Sequence, residues 1–132
     1  MKIVAVSGYF EPFHIGHLEY LERSKQLGDY LFVIVNSDLQ AKLKKGKSFM
    51  PESERLKIIR ALSCVDSAII AVDKDRTVRE TLRIVNPDIF TNGGDQNNQT
   101  IPEIEICQEL GIELIDGLGE KIQSSSWLIN KK

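Results

Sequence analysis

One stretch decides the fold of this chain: Ser7-Gly8-Tyr9-Phe10-Glu11-Pro12-Phe13-His14-Ile15-Gly16-His17. The apolar, β-branched residues 2–6 come directly before it and predict a buried strand. After it, Leu18, Leu21 and Leu27 recur at helical spacing, and Gly28 provides a natural C-terminal stop. The stretch therefore joins the end of a strand to the beginning of a helix.

The two histidines of this stretch lie where the helix is predicted to start. Unpaired backbone N–H groups and the positive end of the helix dipole favour anions at such a junction. His14 and His17 are three positions apart, so both imidazoles can face the same bound group. Gly16 lies between them and has no side chain, which allows a ligand to approach the backbone closely. The stretch thus predicts a phosphate-binding site. A metal site is the weaker interpretation, because the sequence offers no third ligand at a suggestive spacing.

Strand and helix patterns alternate along the whole chain, which predicts an α/β fold. We expect a single Rossmann-like, doubly wound domain over residues 1–132, with a five-stranded parallel sheet and helices on both faces. The predicted strands are residues 2–6, 30–35, about 67–72, 88–92 and 112–115. The predicted helices are residues 18–27, one that begins at Pro51, 78–85, 101–110 and 124–130. The lysine-rich residues between Asp38 and Met50 are expected to form a connection. Ligands of such sheets bind beyond the carboxyl ends of the strands, so the strand-one histidines and Gly93-Gly94 should share one rim.

The bulk properties exclude several classes of function. The net charge of the 132-residue chain is −2 and its basic residues are scattered, which argues against a nucleic-acid partner. No apolar run approaches the ~20 residues that a membrane span needs, and no signal peptide is apparent. Cys64 and Cys107 have no metal-ligand spacing and are interpreted as buried thiols in a reducing compartment. We therefore expect a cytoplasmic protein with no membrane partner.

The His-x-Gly-His pattern resembles the signature of the nucleotidylyltransferase superfamily. Within it, the chain is similar to the cytidylyltransferase-like family, which includes glycerol-3-phosphate cytidylyltransferase and the adenylyltransferase domain of ADP-heptose synthesis. The matching segments follow in the expected order over nearly the whole chain: residues 25–29, 35–38, 54–55, 65–66, 93–95 and 124–126.

The resemblance implies roles for particular residues. It places His14 and His17 on the nucleotide phosphates, where they would stabilise the transition state at the α-phosphate. It also implies that Lys44, in a basic loop, and Arg55 are catalytic through contacts with the phosphates. Lys47 and Lys121 are further candidates for phosphate contacts. The remaining residues assigned to nucleotide binding are Gly8, Tyr9, Phe10, Gly16, Gly94, Asp95, Ser124 and Ser125. Asp38 is interpreted as a helix-cap residue.

One departure from the family pattern concerns the C-terminal region. Glycerol-3-phosphate cytidylyltransferases have an arginine where this chain has Gly119, and Lys121 is a candidate to replace its charge. Ser124 and Ser125 match the family's phosphate-binding hydroxyl positions. The departure weakens the similarity to the glycerol-phosphate enzymes.

The activity implied by the resemblance is transfer of a nucleoside monophosphate from an NTP to a phosphorylated small molecule, with release of pyrophosphate. CMP transfer from CTP to a polyol phosphate is the favoured form, and AMP transfer from ATP to a sugar phosphate is the alternative. Mg²⁺ is expected to arrive on the triphosphate with no ligand from the protein. A non-catalytic nucleotide-binding module and a homodimer both stay open.

Overall fold

The computed structural model of this chain describes residues 1–10, 13–46, 50–91 and 103–115. It contains one five-stranded sheet in which all the neighbouring strands are parallel. The strands are β1 (Ile3–Gly8), β2 (Tyr30–Val35), β3 (Ser67–Ile70), β4 (Ile89–Thr91) and β5 (Glu113–Ile115). The helices are α1 (Ile15–Lys25), α2 (Asp38–Lys45), α3 (Glu52–Arg60), α4 (Arg79–Val85) and α5 (Ile104–Leu110).

The strand order is β3-β2-β1-β4-β5, so the chain winds outward from β1 in one direction and then returns to wind in the other. This order is that of a doubly wound sheet, and it confirms the fold class expected from the sequence. The topological switch point lies between β1 and β4, which pair in register from Val4 with Ile89 to Val6 with Thr91. The carboxyl end of β1 leads into the histidine motif, so the motif lies at the switch point.

Two apolar clusters cover the two faces of the sheet, as the alternation of side chains along a strand requires. Val4 and Val6 of β1 point to one face, where they pack with Leu21 of α1 and Ile59 of α3. Ala5 points to the other face, which is covered by α4 and α5. Helices therefore lie on both faces of the sheet. Within the described ranges no helix is long and apolar enough to cross a membrane.

The expected connection between Asp38 and Met50 is wrong in its first half, because residues 38–45 form the helix α2. Ser37 caps this helix by accepting a hydrogen bond from the backbone N–H of Gln40 at 3.2 Å. The Gln40 side chain accepts in return from the Ser37 N–H at 3.0 Å, which completes a capping box. Gly46 ends the helix in the left-handed conformation, with φ of 85°.

Smaller differences concern the ends of elements. β1 runs two residues further than predicted, to Gly8, and Pro51 precedes α3 as its N-cap residue. The strands β3 and β4 and the helix α5 are shorter than predicted. The helix predicted over residues 124–130 lies outside the described residues. Cys107 is buried as expected, whereas Cys64 is only partly buried.

Candidate functional site

The two histidines form the N-terminal cap of α1. The His14 Nδ1 accepts a hydrogen bond from the Gly16 N–H at 3.1 Å, and the His17 Nδ1 accepts from the His14 N–H at 3.2 Å. This is a capping box in which two imidazoles take the places that a serine or threonine and a glutamate usually occupy. The rings stack with their centroids 3.9 Å apart and a 27° angle between their planes. The backbone therefore fixes both rings in one orientation.

The hydrogen bonds also indicate which nitrogen of each ring acts as the acceptor. An imidazole that accepts at Nδ1 carries its proton on Nε2 when it is neutral, so each ring offers an Nε2–H donor. Burial lowers the pKa of His17 from 6.5 to about 4, and the nearby His14 adds to this effect. His17 is therefore a neutral hydrogen-bond donor near neutral pH. Within the part of the chain that is described, neither Nε2 has a hydrogen-bond partner.

Gly16 has a second role besides leaving the backbone accessible. A Cβ at this position would lie 3.0 Å from Cε1 and 3.2 Å from Nδ1 of His14. A side chain there would require the His14 imidazole to move by a few tenths of an ångström. The glycine in the middle of the motif therefore leaves room for the His14 ring in its capping position.

The Phe10 ring packs against the histidine motif from the side of the core. It is buried in the core and meets His17 edge-on, with the ring centroids 5.3 Å apart. Phe13 stacks on the same imidazole at 5.7 Å. The Phe10 backbone adopts a φ of 52°, and a Cβ on Gly8 would lie 2.7 Å from its ring. The nucleotide contacts predicted for Gly8 and Phe10 would thus involve their backbones, because the Phe10 side chain is part of the core.

Arg55 is the largest fully buried side chain of the described residues, with 1% of its surface exposed. Its guanidinium donates to the carbonyl oxygens of Met50, Tyr9 and Asn36 at 2.9, 2.9 and 2.7 Å, and to the Asp38 carboxylate at 2.8 Å. These contacts tie the loop after β1 to the end of β2 and to α2. The contact with the triphosphate implied for Arg55 stays a prediction, and the observed role of its side chain is to hold the rim together.

Asp38 does not cap α2, contrary to expectation. Ser37 is the cap, and Asp38 is the first helical residue. The Asp38 carboxylate binds Arg55 instead, and its backbone N–H donates to Glu52 at 2.7 Å. The physical reason is that the preceding hydroxyl already satisfies the helix end, which leaves the carboxylate to pair with the buried guanidinium.

A cluster of charged side chains lies around Tyr9. The Lys44 ammonium lies 4.5 Å from the centre of the Tyr9 ring, and Arg76 lies near enough to the phenol to act on its pKa. Partial burial raises the pKa of that phenol, although Arg76 acts in the opposite direction. Among the ion pairs of the described residues, none joins Lys44 or Arg76 to a carboxylate. The structure therefore places two cations beside Tyr9, immediately after β1.

Sequence reasoning missed three residues near this cluster. Nothing in the sequence spacing of Arg76 indicates that it lies beside Tyr9. Asp73 accepts from the Thr81 hydroxyl and from the Glu80 and Thr81 N–H groups, and so holds the start of α4. Glu103 is buried against the Val78 N–H at 3.0 Å, and this burial raises the pKa of its carboxyl. A carboxylate followed by a helix pattern is only a weak signal for such contacts.

The other predicted site residues fall outside the described residues. They are Lys47, Gly94, Asp95, Lys121, Ser124 and Ser125, and their roles stay predictions. In the described ranges, no group of three or more histidine, cysteine, aspartate or glutamate side chains is placed to hold a metal ion.

Comparisons with known proteins agree with a nucleotide-binding domain of this architecture. The cytidylyltransferase-like family model matches residues 5–116. The chain belongs to the cytidylyltransferase-like family, and the predicted enzyme class, a nucleotidyltransferase, is confirmed at the level of that family.

Two curated relatives and one solved structure illustrate the similarity. The chain is 36% identical over 118 residues to the bifunctional protein HldE of Syntrophotalea carbinolica, an alignment that covers 86% of this chain and 24% of HldE. It is 43% identical over 96 residues to the FAD synthase of Methanothrix thermoacetophila, which covers 73% of this chain and 65% of the synthase. The crystal structure of a lipopolysaccharide core biosynthesis protein from Thermoplasma volcanium superposes with a TM-score of 0.76 at 33% identity, over 88% of this chain and 95% of that one.

The chain spans about a quarter of the length of the HldE proteins that it matches. The similarity therefore concerns one part of those proteins.

Proposed function

We propose that this chain transfers a nucleoside monophosphate from an NTP to a phosphorylated small molecule and releases pyrophosphate. One observation carries the proposal: two stacked imidazoles whose Nδ1 atoms are fixed by the backbone, at the start of the helix that follows β1. Such a pair offers two preorganised Nε2–H donors at the positive end of a helix dipole, beside the switch point where doubly wound sheets bind nucleotides.

In the proposed reaction, an oxygen of the acceptor's phosphate attacks the α-phosphorus in line. The bond from the α-phosphorus to the bridging oxygen breaks, and pyrophosphate leaves with the electron pair of that bond. His14 and His17 donate hydrogen bonds to the phosphate oxygens on which negative charge increases. This chemistry depends on positioning and charge stabilisation, so no side chain has to form a covalent intermediate. The Mg²⁺ ion enters as part of the substrate, bound to the triphosphate.

Lys44 and Arg76 support an acceptor that carries an anionic group. Lysine provides a mobile point charge and arginine a planar fork of donors, and both suit phosphate oxygens. Their common neighbour Tyr9 lies one residue after β1, on the same rim as the histidine motif. We infer that the acceptor's phosphate approaches from the Tyr9 side of the histidines.

We propose ATP as the nucleotide, which was the alternative in the sequence analysis. The support comes from the relatives, since an FAD synthase makes an adenine dinucleotide and the matched HldE region resembles the adenylyltransferase of ADP-heptose synthesis. CMP transfer to a polyol phosphate is the competing form and is tested in the same experiment. The acceptor that we propose is a sugar phosphate.

The test measures pyrophosphate release with ATP and with CTP, each with Mg²⁺, across a panel of sugar and polyol phosphates. We expect release with ATP and one sugar phosphate. In the His17→Ala variant we expect turnover to fall by about 10²–10³-fold while the nucleotide affinity changes much less. The matched control is Glu19→Ala, which removes an exposed side chain from the same helix.

Three outcomes would contradict the proposal in different ways. Release with CTP alone would replace ATP by CTP. Nucleotide binding without turnover across the whole panel would favour the non-catalytic module. Full turnover in His17→Ala would exclude the proposed role of the imidazole.

A further inference from the structure

Three buried hydroxyl groups join α1 to the end of β4. The Tyr20 hydroxyl donates to the Thr91 carbonyl at 2.9 Å and lies 3.0 Å from the Thr91 hydroxyl. The Ser24 hydroxyl lies 3.2 Å from that same Thr91 hydroxyl. Tyr20 is 5% exposed, and Ser24 and Thr91 are completely buried. We call these three residues the hydroxyl network.

All the hydrogen bonds of the network can form together with one assignment of donors and acceptors. Tyr20 uses its single proton on the Thr91 carbonyl, so the Thr91 hydroxyl is the donor in its contact with the Tyr20 oxygen. The Ser24 hydroxyl can then donate to Thr91. Every hydroxyl in this chain of contacts has a partner, which is the condition under which a buried polar network specifies one arrangement. Burial also raises the pKa of Tyr20, so its phenol stays protonated and continues to donate.

The positions of these residues connect the network to the histidines. Tyr20 follows His17 by three residues on α1, and Ser24 follows Tyr20 by four, so the three side chains lie along one stripe of the helix. Thr91 is the last residue of β4 and pairs with Val6 of β1 at the switch point. The network therefore attaches the helix that carries the histidines to the strand across the switch point.

Apolar packing alone would not fix the helix so closely. Leu21 of α1 packs into the core beside valines of β1 and β2, and the attraction between apolar groups is not directional. Hydrogen bonds from two consecutive turns of α1 to a single residue of β4 are directional, and a shift of the helix would leave buried polar atoms unpaired.

We propose that Tyr20 is a positioning residue whose hydroxyl network with Thr91 and Ser24 sets the place of His14 and His17 at the switch point. The structural claim concerns the imidazoles directly, and only its kinetic consequence rests on the proposed function.

The first test uses NMR and needs no activity. The chain contains two histidines and both belong to the motif, so a spectrum of ¹³C-labelled histidine reports on this site alone. Tyr20→Phe and Thr91→Val each remove a hydroxyl with little change in shape. In both variants we expect the pKa of His17 to rise by about 0.5 or more. A displaced helix would expose more of the imidazole and so reduce the burial that lowers its pKa.

The matched control is Tyr30→Phe. The Tyr30 hydroxyl also contacts a side-chain hydroxyl, that of Ser67, but this pair joins the starts of β2 and β3. The carboxyl ends of parallel strands lie at the opposite edge, so the control removes a similar bond far from the histidines. We expect Tyr30→Phe to leave both histidine signals and their titrations unchanged.

The second test measures pyrophosphate release in the same variants. We expect Tyr20→Phe to lower kcat at least tenfold with a smaller change in KM for the nucleotide, and Tyr30→Phe to retain the wild-type values. The melting temperature of each variant is measured beside its kinetics, so that a general loss of stability is visible.

The outcomes separate this inference from the proposed function. Unchanged histidine titrations in both Tyr20→Phe and Thr91→Val would overturn the positioning role, whatever the activity. An unchanged kcat in an active enzyme would overturn the kinetic consequence of that role. Shifted titrations in a protein that releases no pyrophosphate from any NTP would support the positioning role and contradict the proposed function.

Discussion

At the scale of single residues, the histidines of the motif combine two tasks that are usually separate. Their Nδ1 atoms satisfy backbone N–H groups at the start of α1, while the Nε2–H groups are the proposed ligands of the phosphates. A conventional N-terminal cap of serine and glutamate would begin the helix equally well, but it would provide no imidazole N–H donor for a substrate. Capping alone does not require an imidazole, and the proposed binding of phosphates gives a reason for one.

The variant His14→Ser separates the two tasks. Serine is among the best N-cap residues, so the helix start should survive and the melting temperature should stay within about 4–8 °C of wild type, equivalent to ~1 kcal/mol. Turnover should fall by about 10²-fold because one imidazole donor is lost. Thermal unfolding and pyrophosphate release would be measured on the same sample.

Wild-type turnover in His14→Ser would show that His14 only caps the helix. A drop in melting temperature well beyond that range would instead show that serine cannot replace the cap.

At the scale of secondary-structure elements, α2 is attached to the domain through Gln40, which is completely buried. Its amide donates to the carbonyls of Asp75 and Thr77 at 2.8 and 2.7 Å, and its oxygen accepts from the Asn36 side chain at 2.9 Å. The helix that carries Lys44 is thereby fixed to the loop that carries Arg76. One neutral side chain thus connects the two backbone segments that carry Lys44 and Arg76.

We expect Gln40→Leu to destabilise the domain by about 2–4 kcal/mol, because it leaves buried carbonyl and amide groups without partners. The measurement is equilibrium unfolding in urea. The matched control is Gln108→Leu on α5, an exposed position where the same substitution should change the stability by less than about 0.5 kcal/mol. Equal effects at the two sites would mean that the Gln40 hydrogen bonds are not important for stability.

At the scale of the whole molecule, Arg55 joins segments that are far apart in the sequence. Its guanidinium contacts the loop after β1, the end of β2 and the first residue of α2, while its backbone belongs to α3. The carboxyl-end rim of the sheet is therefore built around a buried cation, which forms an ion pair with the half-exposed carboxylate of Asp38.

We expect Arg55→Lys to destabilise the protein by about 3–5 kcal/mol, because lysine cannot reproduce the planar fork of donors and leaves buried carbonyls unpaired. The control is Arg60→Lys on the same helix, whose side chain is exposed and donates to one carbonyl, that of Ala68. Urea unfolding gives the stability, and nucleotide titration of the folded variant gives the affinity.

These two measurements also test the triphosphate contact implied for Arg55. A folded variant with wild-type nucleotide affinity would exclude that contact. A loss of affinity beyond the loss of folded protein would support it.

The sequence by itself determined the fold class and predicted where the candidate site lies. Alternating apolar patterns, glycine stops and the junction of strand and helix are local signals, and the histidine motif required no tertiary information to predict a phosphate site. The family assignment followed from the order of motifs along the chain. Local rules were less reliable for α2. Its lysine-rich sequence predicted a connection, although the Ser37 cap and the Gly46 stop of a helix were both present.

The tertiary structure alone decided the roles of Arg55, Gln40 and the hydroxyl network. Each is a polar side chain whose partners lie on other elements, and no spacing in the sequence indicates which carbonyl or hydroxyl it will meet. Arg55 in a charged helix looks like a surface residue, and Thr91 looks like an ordinary strand residue. Folding buries them, and a buried polar group must find a partner, so the burial itself creates the contacts that hold the candidate site.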